Sequence, residues 1–286
     1  MKRNSRNPEL HRNIVIRHIA VALDCSPHSL ASLSAAAELA GRMHADLTGI
    51  FVEDINLLRM AELPCSHEIR IYNTEPEKIE LQRLERSLRM QAKEAQGALQ
   101  RIAGELMVEH SFRVCRGLVP AEVILAAHEA DLLVLGRSGR SPSCRKGLGS
   151  TARKALAEGK RPLLFMRPGF SAKEWPLLVL YDGSEGAGEA LAVASGLVEP
   201  GSMLHILILG ETPEEAMQIE QELPEKVELP QAVIEYHHLP LKNGKKLATC
   251  IRMADSGLLV LSDRMKLSRE SVHELVRDID CPVLLV

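Results

Sequence analysis

The chain has 286 residues, room for two ordinary domains, and its 45% hydrophobic and 26% charged content is that of a globular protein rather than a disordered or fibrous one. Its 35 basic and 38 acidic side chains leave a formal net charge of −3, so no overall field draws it to DNA or to an anionic membrane. Aromatic residues make up only 3%, too few for the base-stacking platforms of single-strand nucleic-acid binders.

Along the chain, short runs rich in Val, Ile and Leu alternate with helical patterns, the signature of a parallel sheet covered on both faces. After a polar extension over 1–17, strands are predicted at 18–23, 46–52, 110–116, 131–135 and 162–166, joined by helices at 27–43, 76–106, 120–129 and 149–158. Within this stretch Glu75 to Leu106 reads as one long charged helix with apolar residues at Ile79, Leu81, Leu84, Leu88, Leu99, Ile102 and Leu106. Such a helix either crosses over its own sheet or reaches past its domain. Beyond a linker at 169–175, strands are predicted at 177–181, 203–209, 232–238, 257–261 and 282–286, with helices at 185–198, 213–222, 243–254 and 267–278.

The two sets repeat one another. Ile19-Ala-Val-Ala-Leu-Asp24-Cys-Ser26 is echoed by Leu177-Leu-Val-Leu-Tyr-Asp182-Gly-Ser184, Asp131-Leu-Leu-Val-Leu-Gly136 by Gly257-Leu-Leu-Val-Leu-Ser262, and Arg161-Pro-Leu-Leu-Phe-Met166 by Cys281-Pro-Val-Leu-Leu-Val286. Matched anchors in the same order mean two copies of one βα unit, a first domain at 18–168 and a second at 176–286.

Residues 133–150 carry the most chemistry. Gly136 ends an apolar strand, Gly139 follows after two residues, and Gly149-Ser150 stands just ahead of the helical run beginning at Thr151. The first N–H groups of a helix lack intrahelical partners, and its dipole favours anions there. Glycines let backbone N–H groups approach phosphate oxygens closely. Arg137, Arg140, Arg145 and Lys146 in the intervening loop would add charge-assisted contacts to a polyphosphate. In the second copy Ser262 stands where Gly136 does, and Asp263-Arg-Met-Lys-Leu-Ser268 follows without a glycine, with a carboxylate repulsive to phosphate. One competent phosphate site, in the first half, is expected.

The spacing Gly, two residues, Gly, nine residues, Gly-Ser resembles the nucleotide motif of ATP-binding universal stress proteins. His18 to Ser26 looks like that family's first strand, and Asp46 to Asp54 its second. The resemblance extends over both halves as a tandem member. It implies two Rossmann-like α/β domains of the adenine nucleotide alpha hydrolase type, each a five-stranded parallel sheet with helices on both faces. It further implies ATP or ADP with Mg2+ or Mn2+ as ligand. Val52 would hold adenine through its backbone, and Asp24 would sit by the ribose or reach the metal of the nucleotide. Gly136, Gly139, Gly149, Ser150 and Thr151 would line the phosphates; with Ser26 and Arg137 these complete the candidate binding set. Domains of this family pair through their last strands, so 162–166 against 282–286 would make an intramolecular pseudo-dimer, with a homodimer as a further possibility.

Neither a Gly-x-x-x-x-Gly-Lys-[Ser/Thr] loop nor a Gly-x-Gly-x-x-Gly fingerprint occurs, and the phosphate loop holds no His, so no catalytic residue is assigned. The first expectation is a stress-response protein acting as a nucleotide-occupied sensor. A slow ATP hydrolase or adenylate-transferring enzyme, on the strength of Lys266-Leu-Ser-Arg-Glu-Ser, and a nucleotide-free scaffold stand as alternatives. Cysteines at 25, 65, 115, 144, 250 and 281 show no Cys-x-x-Cys spacing and read as reduced thiols, Cys144 standing out in its basic loop. No His cluster has zinc spacing, and His237-His238 reads as structural. With no apolar signal segment in 1–17 and no bilayer-length run, a cytoplasmic protein without membrane or nucleic-acid partners is expected.

Overall fold

The computed structural model describes residues 16–64, 66–70, 73–139, 147–158, 161–168, 176–199, 201–226, 232–240, 244–253, 257–279 and 281–286. It divides into two compact units, the first built mainly from 16–174 and the second mainly from 175–280. The expected linker at 169–175 and most of the extension at 1–17 lie outside the described residues.

In the first unit, strands β1 (His18–Ala22), β2 (Asp46–Asp54), β5 (His110–Gly117), β6 (Leu132–Gly136) and β7 (Leu163–Met166) form a parallel sheet in the order β7-β6-β1-β2-β5. The central strands are apolar on both faces: Ile19, Ala20, Val21, Leu133 and Val134 are all buried. Helices α1 (Pro27–Met43) and α3 (Leu81–Glu105) pack on one face, and α4 (Val119–Ala126) with α5 (Ser150–Glu158) on the other. Helix α1 starts because Ser26 Oγ accepts from the Ser29 N–H at 3.1 Å and Pro27 presets the first turn. It stops at His44, which adopts φ 52.

The long charged segment differs from its expected form. Residues Asn73–Lys78 are strand β4, paired antiparallel with β3 (His67–Arg70), and α3 begins only at Leu81. Pro76 lacks the N–H a helix interior needs, which favours the hairpin over a longer helix. Helix α3 buries Leu88, Ala92, Ala95, Leu99 and Ala103. It seats closely on its own sheet, since a Cβ on Gly49 would lie 2.9 Å from Leu99 Cδ2. Helix α2 (Ile55–Glu62), unassigned from sequence, is capped by Asp54, whose Oδ1 accepts from the Asn56 N–H at 2.9 Å.

The second unit repeats the plan with β8 (Leu177–Tyr181), β9 (Met203–Gly210), β10 (Val233–Pro240), β11 (Leu258–Leu261) and β12 (Val283–Leu285), in the order β10-β9-β8-β11-β12. Helices α6 (Glu185–Leu197) and α7 (Pro213–Lys226) lie on one face. Helices α8 (Gly244–Met253) and α9 (Arg269–Asp278) pack against each other. Among the described residues no helix is long and apolar enough to cross a membrane.

Candidate functional site

From β1 the first unit's chain builds outward through β2 and β5, then returns to β6 and β7 on the other side. The crevice beyond the carboxyl ends of β1 and β6 is therefore a topological switch point, where open α/β sheets take ligands. A cleft of about 640 Å³ lies there, lined by the ends of β1, β2 and β6, the first turns of α4 and α5, and Leu88 and Gln91 of α3. That volume falls in the ordinary range for small-molecule sites.

Seven candidate residues meet in this cleft: Asp24, Val52, Gly136, Gly139, Gly149, Ser150 and Thr151. Two do not line it. Ser26 is buried as the cap of α1, and Arg137 is buried beside the sheet, its N–H donating to the Met166 carbonyl at 3.0 Å. The Arg137 carbonyl in turn accepts from the Gly149 N–H at 2.7 Å, which closes the base of the loop and brings the glycines together. Arg140, Cys144, Arg145 and Lys146 lie outside the described residues.

Two glycines are required by close approach. A Cβ on Gly136 would stand 2.9 Å from His28 Cβ and 3.1 Å from its carbonyl carbon, so the first turn of α1 rests on this position. A Cβ on Gly139 would stand 2.9 Å from Asp24 Oδ2. Asp24 spends Oδ1 on the Ser26 N–H at 2.9 Å and turns Oδ2 toward the cleft. The residue after it, Cys25, adopts φ 60, a left-handed conformation that side chains resist.

Sequence reasoning missed much of the wall. Leu118 to Ala121 at the start of α4, Leu57 of α2 and Leu88 of α3 give it apolar surface, and Lys154, one turn into α5, brings a cation paired with Glu158 at 3.6 Å. Lys154 follows Ser150 by four residues, a spacing that puts both on one helix face. Two further carboxylates stand nearby, and Asp54 itself lines the cleft. Glu53 is buried and ion-paired with Arg116 at 2.7 Å, and Asp54 caps α2. Beside the glycines, His28 Nε2 lies 2.9 Å from Ser138 Oγ. Burial lowers the His28 pKa below its ordinary value, against the opposing pull of Asp24, and the nearby Arg167 and Arg137 lower it further. Burial pushes the Cys115 thiol up, with Glu122 adding to the effect, which disfavours the reactive thiolate.

The second unit fills the matching position with its own backbone. Asp182 is fully buried; its Oδ1 accepts from the Ser184 N–H at 3.0 Å and hydroxyl at 2.5 Å, and its Oδ2 from the Lys266 N–H at 2.5 Å. A Cβ on Gly186 would lie 2.8 Å from the Arg264 carbonyl oxygen, so the short 263–267 loop sits directly on the first turn of α6. Where the first unit strains Cys25, the second has Gly183 at φ 75.

A doubly wound parallel sheet with an open crevice at its switch point places the first unit in the Rossmann-like class. The universal stress protein family model matches residues 16–167, more than half of the chain, and the chain belongs to that stress-response family. Among solved structures it is similar to a universal stress protein from Archaeoglobus fulgidus DSM 4304, at 15% identity over 94% of this chain and 97% of that one, with a TM-score of 0.67. It is also similar to a functionally unknown protein from Pseudomonas aeruginosa PAO1, at 15% identity, 97% and 94% coverage and TM-score 0.56. A further Pseudomonas aeruginosa protein, from UCBPP-PA14, matches at 14% identity, 96% and 94% coverage and TM-score 0.59. These likenesses are of fold, and each spans both repeats. No curated protein matches the sequence.

Proposed function

We propose that the first unit binds an adenine nucleotide, ATP or ADP with Mg2+ or Mn2+, and that the protein acts in the stress response as a nucleotide-occupied sensor or regulator. The observation that carries this reading is the convergence of Gly136, Gly139, Gly149, Ser150 and Thr151 with Asp24 at a single switch-point cleft. The residues present suit such a group. Glycine at 139 leaves space against the Asp24 carboxylate, the first turn of α5 offers N–H groups for phosphate, and Lys154 adds a cation. The apolar surface of Leu57, Leu88 and Leu118 suits the flat face of a base. Asp24 is the carboxylate that would meet the nucleotide's metal ion.

Binding rather than turnover is favoured by the chemistry of the wall. Glu53 is tied to Arg116, His28 does not line the cleft, and Asp54, which does, is engaged through Oδ1 in capping α2. The occupied state is the signal.

The test is the identity and stoichiometry of nucleotide released when freshly purified full-length protein is denatured, together with calorimetric titration of ATP and magnesium. One adenine nucleotide per chain is expected. Two equivalent sites per chain, or no uptake at all, would refute the reading, and sustained phosphate release over many turnovers would replace it with hydrolysis.

A further inference from the structure

The second unit brings together a group of side chains that the nucleotide reading leaves unused. His205 on β9 and Glu235 on β10 are register partners across a parallel ladder, and His237 follows Glu235 by two residues. Side chains two apart on a strand share a face, so both β10 residues project beside His205. Opposite this face, His238 turns toward α7 and meets Glu220 Oε2 at 2.5 Å. The arrangement escapes sequence inspection because its members are separated by a whole helix and come from two strands.

Three donor atoms converge. His205 Nδ1 lies 3.0 Å from His237 Nε2 and 3.3 Å from Glu235 Oε2, and His237 Nε2 lies 3.8 Å from the same Glu235 oxygen. With zinc bonds of about 2.0–2.2 Å to imidazole nitrogen and carboxylate oxygen, neighbouring ligands of a tetrahedral site stand about 3.3–3.5 Å apart. The observed separations bracket that edge. Hydrogen bonding alone serves the cluster poorly, because the one nitrogen of His205 faces both partners and can make one good bond at a time. A cation at the centre satisfies all three lone pairs together.

Burial supports the same assignment. His205 is buried at 7% exposure. The ring is therefore held by packing, with Nδ1 aimed at the cluster. Glu235 and His237 are half-exposed, which leaves the fourth corner of a tetrahedron open to water and gives the ion a way in. Two imidazoles and one carboxylate form a nitrogen–oxygen set that suits zinc over calcium or magnesium.

We propose that His205, Glu235 and His237 form a site for a zinc-class divalent cation in the second unit. The ion would tie β10, which ends the strand order, to β9. Its three protein ligands leave a fourth position to water, and none of them lines the nucleotide cleft.

The test uses full-length, chelator-stripped protein with its thiols alkylated, titrated calorimetrically with zinc chloride in excess magnesium. One zinc per chain and a higher melting temperature are expected. Removal of outer-shell partners alone costs zinc sites 10–100-fold, so Glu235→Gln and His237→Ala should each weaken binding by roughly a hundredfold or more. His238→Ala, on the opposite face, should leave it unchanged. If His237→Ala fails to fold by circular dichroism, His237→Gln replaces it. No saturable uptake, uptake untouched by both substitutions, or an equal loss in His238→Ala would overturn the proposal.

Discussion

Replacing Asp182 by Ala removes the acceptor of three hydrogen bonds inside the second unit, from the Ser184 N–H, the Ser184 hydroxyl and the Lys266 N–H. The hydroxyl can rotate toward another partner, whereas the two backbone N–H groups are fixed. Leaving a buried donor unmatched costs about 1–3 kcal/mol, so the variant should lose about 2–6 kcal/mol. The same change at Asp24 removes one backbone contact, from the Ser26 N–H, beside a cleft that water enters. It should cost about 1 kcal/mol. Nucleotide binding should show the reverse order, with ATP uptake lost in Asp24→Ala and kept in Asp182→Ala at temperatures where that protein remains folded. Urea unfolding followed by circular dichroism gives the first comparison, and calorimetric titration of ATP and magnesium the second. Equal stability losses in the two variants, or retained ATP uptake in Asp24→Ala, would refute the reasoning.

Gly136→Ala should destabilise by about 1–3 kcal/mol in thermal melts, because the new Cβ meets backbone and Cβ atoms of His28 that cannot move without shifting α1. Gly139→Ala meets only the end of the Asp24 carboxylate, so it should weaken ATP binding with little loss of stability. Gly183→Ala should cost about 1–2 kcal/mol in the same melts, since φ 75 favours a residue without a Cβ, while Cys25→Gly relieves the matching strain in the first unit. The lowered His28 pKa gives a pH dependence of definite sign. In the window below the unfolded histidine value of about 6.5 and above the native one, only the unfolded chain takes up the proton, so stability falls as pH falls through it. His28→Asn should flatten that part of a urea-midpoint against pH profile.

The positions of the central strands in both repeats were legible because those strands are apolar runs, from Ile19-Ala-Val to Val283-Leu-Leu, and such runs need no partner to be recognised; their order across the sheet was not read from sequence. The helix starts expected at 27 and 185 are also found, and the structure adds that Ser26 and Ser184 cap them. The β3–β4 hairpin was not, since the charged residues ahead of α3 share their composition with the helix and only Pro76 interrupts the pattern. At the site, the glycine spacing marked residues that do line the cleft, Gly136, Gly139 and Gly149. The wall at Leu57, Leu88 and Leu118 comes from three helices separated in sequence, and nothing local to any of them marks it as cleft surface. Ser26 and Arg137 sit beside the motif in sequence but are drawn inward, one by a helix cap and the other by burial against the sheet.

The Lys266 N–H bound to Asp182 also bears on how this protein can change. A main-chain donor survives every substitution at its own position except proline, so the tie at 266 tolerates most changes of side chain there. A longer segment, such as 137–149 in place of 263–267, is one change that would carry the donor away from Asp182. The two copies thus use the same position differently: the first leaves it open as a cleft, and the second spends it on holding itself together.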